Sequence, residues 1–282
     1  MSESNFIRSL PLIRELEPFL VTTPFNARPL DKAPFGVRIP PAHVFDPLRV
    51  ENEPFLGLLQ TLDGRTFGPE GMPMDRWVFY DCCYMPGAIF GFGKRARDLD
   101  PRSRAILEVP ADYLGLVPLA MYIAIPMASP GAWMGHNLAS IGPQLEDPAY
   151  RGLGTLAKTV GLRCFRTRSF FGATQWDSKA LFIHVKFGPL DLVTAYTPAH
   201  SESRTLTYAF DVTDRALMAA VGDPSCAFDR PAPDAWIHCH DDAAMIALED
   251  RIEAGEAWVI PGPPRMESDG TMSVPIARKR AE

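Results

Sequence analysis

The chain has 282 residues, of which 46% are hydrophobic and 22% are charged, a balance that supplies a full core and excludes a disordered chain. Its 28 basic and 34 acidic residues give a net charge of −6, which argues against nucleic-acid or anionic-membrane partners. The 28 prolines exclude a long helical bundle, because each internal proline ends or kinks a helix.

The five cysteines and the N-terminal residues indicate a cytoplasmic protein. The cysteines are odd in number and show no metal-ligand spacing, so we expect free thiols in a reducing compartment. The first ten residues show no signal-peptide pattern. The uncharged stretch 114–137 is interrupted by Pro118, Pro126 and Pro130, which favours a buried strand and a turn over a membrane span.

Proline, glycine and apolar patterns divide the chain into short elements. We expect an N-terminal arm over residues 1–35, a single β-rich domain over residues 36–260 and a mobile tail over residues 261–282, which includes Arg280. Strands are predicted over the segments with β-branched, aromatic or apolar enrichment, namely 37–39, 55–62, 77–84, 88–93, 116–125, 131–141 and 163–176. Short helices are predicted over 100–108, which Asp100 would cap, 155–162, 215–221 and 243–254.

Residues 181–197 have the pattern of a β-hairpin. Apolar residues alternate with Phe182, His184 and Lys186 up to Gly188-Pro189, which suits a two-residue type II′ turn. In this register Lys186 would face Asp191, an opposite-charge pair that favours the cross-strand pairing.

Lys158 is a candidate nucleophile, because it is a single charge among apolar neighbours in the helical segment 156–162. Burial destabilises an ammonium group and lowers its pKa, so that neutral amine exists near pH 7. A neutral amine can attack a ketone, and the protonated imine that results is an electron sink for breaking a neighbouring bond. The structural alternative is a lysine that extends to solvent.

Three segments around this lysine resemble the acetoacetate decarboxylase-like superfamily. Residues 121–138 resemble its Met-Tyr-Leu strand and Gly-Arg-Glu segment, residues 157–165 its lysine-bearing segment, and residues 187–195 the hairpin that follows. The strand 77–81 resembles the one that brings a carboxylate into the pocket. The resemblance implies an α+β fold of curved, mostly antiparallel sheets that close around an apolar pocket, with few short helices, in a homo-oligomer.

The resemblance also implies a Schiff-base lyase that acts on a small-molecule carbonyl substrate, a keto acid or a related compound, without a cofactor or metal. Lys158 would form the imine, Asp81 would be the acid/base or orienting carboxylate, and His136 would stand at the family's arginine. The implied substrate-binding residues are Tyr122, Asn137, Arg163 and Arg166. Thr159 stands where the decarboxylases have a second lysine, so decarboxylation, aldol or dehydration chemistry and cyclisation all remain open.

The segment 150–156 supports a different reading, because it resembles the pyrophosphate loop of GNAT acyltransferases. That pattern has Arg or Gln, two residues, Gly, one residue, then Gly or Ala; Arg151 and Gly154 fit, and Leu156 occupies the last position. Backbone N–H groups at the helix start would hold the phosphates of acyl-CoA. The next helix of that family would fall on the predicted hairpin at 181–197. The structural alternative is a surface turn before a helix.

Two further readings remain. One is a non-enzymatic carrier, a curved β-shell that holds an apolar ligand. The other is a metal trio, because His238, His240 and Asp242 would share one face of a strand. Three ligands on one strand fit tetrahedral zinc poorly, and an aspartate cap of the next helix explains the pattern, so we expect no metal.

Overall fold

The computed structural model describes residues 3–145, 147–200 and 202–279, without the side chain of Glu70, so Arg280 of the predicted tail lies outside the described residues. The chain forms two compact units, residues 1–167 and residues 168–282. This boundary falls inside the single domain expected over residues 36–260.

The first unit contains both strands and helices. Its strands are β1 (Glu17–Val21), β2 (Val44–Phe45), β3 (Ala88–Arg95), β4 (Leu116–Pro126) and β5 (Ala132–Ser140). Its helices are α1 (Glu3–Ser9), α2 (Pro11–Glu15), α3 (Glu53–Phe67), α4 (Arg76–Val78), α5 (Pro101–Ile106), α6 (Gly142–Leu145) and α7 (Leu153–Cys164). A π-helical segment, Phe79–Tyr84, follows α4 directly.

The sheet of the first unit has the strand order β2-β1-β3-β4-β5. The β1–β2 pair is parallel and the other pairs are antiparallel. Among the described residues of this unit, no pairing joins β5 back to β2, so these strands do not close around a pocket. The predicted fold class, curved antiparallel sheets of the acetoacetate decarboxylase-like kind, is therefore wrong. Strand β1 lies within the segment expected to be an N-terminal arm.

The second unit is also mixed. Its strands are β6 (Ser169–Gln175), β7 (Leu190–Thr194), β8 (Thr205–Asp211), β9 (Ala235–His238), β10 (Trp258–Ile260), β11 (Arg265–Met266) and β12 (Met272–Arg278). Its helices are α8 (Leu181–His184), α9 (Asp214–Ala220) and α10 (Asp242–Glu253). The strand order is β6-β8-β7-β10-β12, and β12 also pairs with β9 and β11. The segment expected to be a mobile tail thus contains β12, whose apolar Val274 and Ile276 are buried.

Three predicted strands are helical in the structure. Phe55, Leu59 and Leu62 are buried along α3 at spacings of four and three residues, which is helical rather than alternating periodicity. Segment 77–84 is likewise helical, with Phe79, Cys83 and Tyr84 buried on one side. The predicted hairpin at 181–197 is wrong as well, because its first half is helical.

Residues 181–187 form α8 and a following 3₁₀ turn instead of a strand. Leu181, His184 and Val185 are buried, which is a spacing of three and four residues. The turn ends at Gly188, whose φ of 128° an L-residue rarely adopts. β-Branched composition favoured a strand here, whereas the burial pattern follows a helix.

Other predictions are confirmed. Strands β3 and β4 cover the predicted segments 88–93 and 116–125, and β5 lies within the predicted segment 131–141. Helix α7 covers the predicted helix 155–162, and α9 and α10 begin and end one residue before the predicted helices 215–221 and 243–254. The side chain of Asp100 caps α5 by accepting a hydrogen bond from the Ser103 N–H at 2.8 Å. In the described part of the chain, no helix combines the length and apolar composition needed to cross a membrane.

Helix α7 is buried around its whole circumference, because every residue from Leu153 to Leu162 is buried. It packs closely on β3 and β4 at Gly161. A Cβ added to Gly161 would lie 2.7 Å from Cδ1 of Tyr122 and 3.2 Å from Cβ of Phe90. The absence of a side chain at Gly161 therefore sets how closely the helix approaches the sheet.

We predict that Gly161→Ala lowers the free energy of unfolding by about 1–3 kcal/mol, because the added methyl group overpacks this contact. Gly57→Ala in α3 is the matched control: a Cβ there meets no atom within 4 Å, so it should stabilise the protein by about 0.5–1 kcal/mol. Urea unfolding of both variants measures the difference. If the two substitutions changed the free energy of unfolding by the same amount, close packing at Gly161 would be contradicted.

Candidate functional site

Strand β5 carries a β-bulge in its middle. Tyr122 of β4 pairs with Leu138 and Ala124 pairs with Gly135, so one residue of β4 opposes two residues of β5, His136 and Asn137. A bulge leaves a residue outside the regular ladder and re-aims its side chain, and bulges are frequent beside active sites.

The bulge is connected to α3 by a chain of hydrogen bonds. The Asn137 Nδ2 group donates to Asp63 Oδ1 at 2.8 Å, and Asn137 Oδ1 lies 3.0 Å from Nδ1 of His136. Because the Asn137 amide donates to the aspartate, its oxygen must accept from the histidine, so His136 Nδ1 carries the proton. In the neutral ring Nε2 is then left with its lone pair. His136 is exposed, so this nitrogen can meet a substrate.

Asp63 is the buried end of this chain, with a residue exposure of only 1%. Its Oδ2 accepts a hydrogen bond from the Met74 N–H at 2.7 Å, so each carboxyl oxygen has a donor. Burial raises the pKa of Asp63, and the hydrogen bonds from Met74 and Asn137 oppose that shift. The result is a carboxyl group that is held in place and cannot reach solvent.

Sequence reasoning missed Asp63. The sequence indicates Asp63 only if residues 53–67 are read as a helix. Leu56, Leu59 and Asp63 then lie on one face of the helix, at spacings of three and four residues. A carboxylate on the apolar face of a helix needs partners, and the bulge supplies one.

The N-terminus of α7 is a second feature of this unit. Gly152 precedes the helix with a φ of 85°, and no side chain caps the first turn. Gly152 and Arg151 are exposed. The helix dipole places partial positive charge at this end, and Arg151 adds a full positive charge. The two groups together make the helix start suitable for an anion.

The helix start lies beside the end of β5. A Cβ placed on Gly154 would lie 3.5 Å from Cβ of Ser140 and 3.9 Å from Cγ of Leu138. From Ser140 back to His136 the strand covers four residues, or roughly 13 Å at the usual rise per residue. The bulge and the helix start are thus two points along one strand.

The structure does not bring Lys158 and Asp81 into one accessible site. Lys158 lies inside α7 with 0% exposure, and burial lowers its pKa well below the ordinary value, which is the direction expected. Asp81 lies on the exposed side of the π-helical segment rather than on a strand. A side chain with no exposed surface cannot meet a substrate that enters from solvent.

The remaining predicted binding residues are dispersed. Tyr122 is buried on β4, where its ring stacks on Phe165 at 5.9 Å and burial raises its pKa. The Arg163 guanidinium lies 5.3 Å from the centroid of the Phe35 ring, and Arg166 is exposed with a φ of 53°. Of the predicted site residues, His136 and Asn137 are joined directly by a hydrogen bond between their side chains.

The predicted absence of a metal site stays a prediction. Within residues 3–145, 147–200 and 202–279, no group of three His, Cys, Asp or Glu side chains is arranged to hold a metal ion. His238 instead lies 2.8 Å from the Thr271 hydroxyl, and Asp242 forms an ion pair with Arg204.

Comparison with solved structures finds acetyltransferases. The ribosomal-protein-S18-alanine N-acetyltransferase from Escherichia coli aligns with 59% of this chain and 91% of its own, at 13% identity and a TM-score of 0.36. An acetyltransferase assigned to the GNAT family from Desulfovibrio desulfuricans aligns with 45% of this chain and 70% of its own, at 12% identity and a TM-score of 0.29.

A third similar structure is the IAA acetyltransferase from Bacillus cereus, which aligns over 45% of this chain and 79% of its own, at 12% identity and a TM-score of 0.27. No protein-family model and no curated protein matches the chain.

The architecture corrects the functional expectation. Over its described residues the sheet of the first unit is mixed and does not close around a pocket, so the predicted membership of the acetoacetate decarboxylase-like superfamily is wrong. The predicted Schiff-base lyase or decarboxylase activity is wrong as well, because Lys158, which would form the imine, has no exposed surface. Lys158 is buried together with the residues on either side of it in α7.

The raised pKa of Asp63 predicts a pH dependence of stability. The folded carboxyl group keeps its proton to higher pH than the unfolded one, whose pKa is near 3.8, so its stabilisation is lost as pH rises through the folded pKa. Asp63→Asn cannot titrate. The unfolding free energy of wild type minus that of Asp63→Asn should therefore fall with rising pH from about 4 upward and then level off.

Urea unfolding of both proteins at a series of pH values measures this difference. The amide that replaces the carboxyl group in Asp63→Asn can accept only one of the two hydrogen bonds, which adds a constant offset of about 1–3 kcal/mol. A difference that grows with pH would mean that the folded pKa is lowered, contrary to the burial argument.

Proposed function

We propose that this chain is an acyl-CoA-dependent acyltransferase. The observation that carries the proposal is the start of α7, where the Arg151-Gly152-Leu153-Gly154 segment with the GNAT-like pattern opens a buried 12-residue helix without a side-chain cap. A helix start of this kind, next to a cation, is suited to a pyrophosphate group.

The chemistry of each group at the helix start matches that ligand. Gly152 turns the chain into the helix at a positive φ, where a side chain would be strained. The first N–H groups of a helix have no intrahelical acceptor, and they point outward along its axis. Arg151 offers charge-assisted hydrogen bonds to phosphate oxygens.

The bulge of β5 supports the transfer step. An acyl-CoA with its pyrophosphate at the start of α7 would extend its pantetheine arm along β5 and bring the thioester near His136. A backbone N–H that the bulge releases from the ladder can donate to the thioester carbonyl, where negative charge develops during acyl transfer.

His136 supplies the base. Its Nε2 lone pair is left available because the Asn137 side-chain oxygen, oriented by Asp63, accepts a hydrogen bond from the Nδ1–H group. A neutral imidazole can take the proton from an attacking amine or hydroxyl group as the new acyl bond forms. In this arrangement Asn137 and Asp63 are positioning residues, because they act on the substrate only through His136.

The helical conformation of residues 181–187 is compatible with a GNAT-like chain, whereas the predicted hairpin was not. The predicted hairpin at 181–197 occupied the place where a GNAT-like chain has its next helix. Residues 181–187 are helical instead, as α8 and the turn Val185–Phe187.

Binding of CoA tests the pyrophosphate site. We expect isothermal titration calorimetry to show one CoA per chain, and Arg151→Glu to weaken the affinity about 10- to 100-fold, because a charge-assisted contact becomes a repulsion. Arg166→Glu is the matched control: it makes the same charge change at the other end of α7, and it should leave the affinity within about threefold. Absence of CoA binding to the folded wild type would overturn the proposal.

The rate of acyl transfer tests the role of His136 as the general base. With acetyl-CoA and a panel of amines, release of free thiol should fall about 10²- to 10⁴-fold in His136→Gln, whereas CoA affinity should stay unchanged. His200→Gln, at a histidine of the second unit, should retain activity. Full turnover by His136→Gln would remove the histidine from the mechanism.

A further inference from the structure

A small pocket in the first unit lies between α3 and the π-helical segment. Its volume is about 40 Å³, enough for several polar atoms. We name it the Tyr84 pocket, and its lining residues are Pro47, Glu53, Leu56, Gln60, Arg76, Tyr80 and Tyr84.

The phenol of Tyr84 is the buried end of this pocket. The residue is only 5% exposed, and its hydroxyl group has no hydrogen-bond partner among the described residues. Buried polar groups in folded proteins are nearly always hydrogen-bonded, so an orphaned hydroxyl group beside a cavity points to a ligand.

The helical geometry brings two tyrosines to the pocket. The Met85 N–H donates to the Tyr80 carbonyl at 3.1 Å, a π-type bond that spans five residues. The wider turn places Tyr80 and Tyr84 over the same cavity. Such π-turns are often found at functional sites.

The rim of the pocket carries one charge of each sign. Arg76 forms an ion pair with Glu53, and both side chains are about half exposed or more. Gln60 adds an amide that can donate and accept. Glu53 would repel a simple anion in the pocket, and Arg76 would repel a simple cation. A ligand with adjacent opposite charges can place each charge next to the rim residue of opposite sign.

We propose that the Tyr84 pocket binds the head group of a free α-amino acid. The ligand carboxylate lies against Arg76 and accepts a hydrogen bond from the Tyr84 hydroxyl group, and its ammonium group lies against Glu53. The small volume favours the smallest such zwitterion, glycine. Binding here needs neither CoA nor His136, so it stands or falls separately from acyl transfer.

Equilibrium dialysis with radiolabelled glycine tests the proposal on the full chain. One glycine should bind per chain, and acetate and methylamine, which carry one charge each, should compete at least tenfold more weakly than unlabelled glycine. Glu53→Gln and Arg76→Gln should each weaken binding at least tenfold. Arg97→Gln removes an arginine charge at an exposed site outside the pocket, and it should leave binding unchanged.

Tyr84→Phe separates a binding role from a packing role. It removes only the orphaned hydroxyl group, so the melting temperature without glycine should be equal to or above that of wild type, whereas glycine affinity should fall about 3- to 10-fold. Absence of saturable glycine binding would overturn the proposal. Binding that Tyr84→Phe and Arg76→Gln both leave unchanged, or acetate binding as strong as that of glycine, would do the same.

Discussion

The close approach of α7 to the sheet at Gly161 is the constraint on which the rest of the first unit depends. A helix buried on all sides cannot shift without opening cavities or clashes on several faces. Its contact with Tyr122 and Phe90 fixes the helix along β3 and β4, and its first turn then comes to lie against Leu138 and Ser140 of β5. The helix start and the bulge therefore share one rigid frame.

Much of that frame follows from the sequence. The uncharged apolar segment predicted β4, the aspartate-proline pair predicted α5, and the short apolar segment 155–162 predicted α7, because local signals and burial agree in these elements. The strands predicted at 55–62, 77–84 and 181–187 were wrong. There the buried residues occur at helical spacings, and tertiary burial overrides the local preference for strand.

The candidate site was less predictable for a physical reason. His136 and Asn137 were singled out, but their joint role depends on a bulge, and register irregularities leave little trace in one sequence. Asp63 could not be chosen as a site residue while residues 55–62, directly before it, were read as a strand. Conversely, Lys158 drew attention through its apolar neighbours, which reflect a packed helix rather than a pocket. A single charged residue among apolar neighbours in the sequence is compatible with both a packed helix and a ligand pocket.

The most direct test of the central claim, that the start of α7 binds the pyrophosphate of an acyl-CoA, is an amide NMR titration of the folded chain with CoA. We expect the largest shifts at the N–H groups of Gly152, Leu153 and Gly154, with smaller shifts along β5 toward His136. Saturable shifts confined to other parts of the chain, with these three amides unmoved, would contradict it.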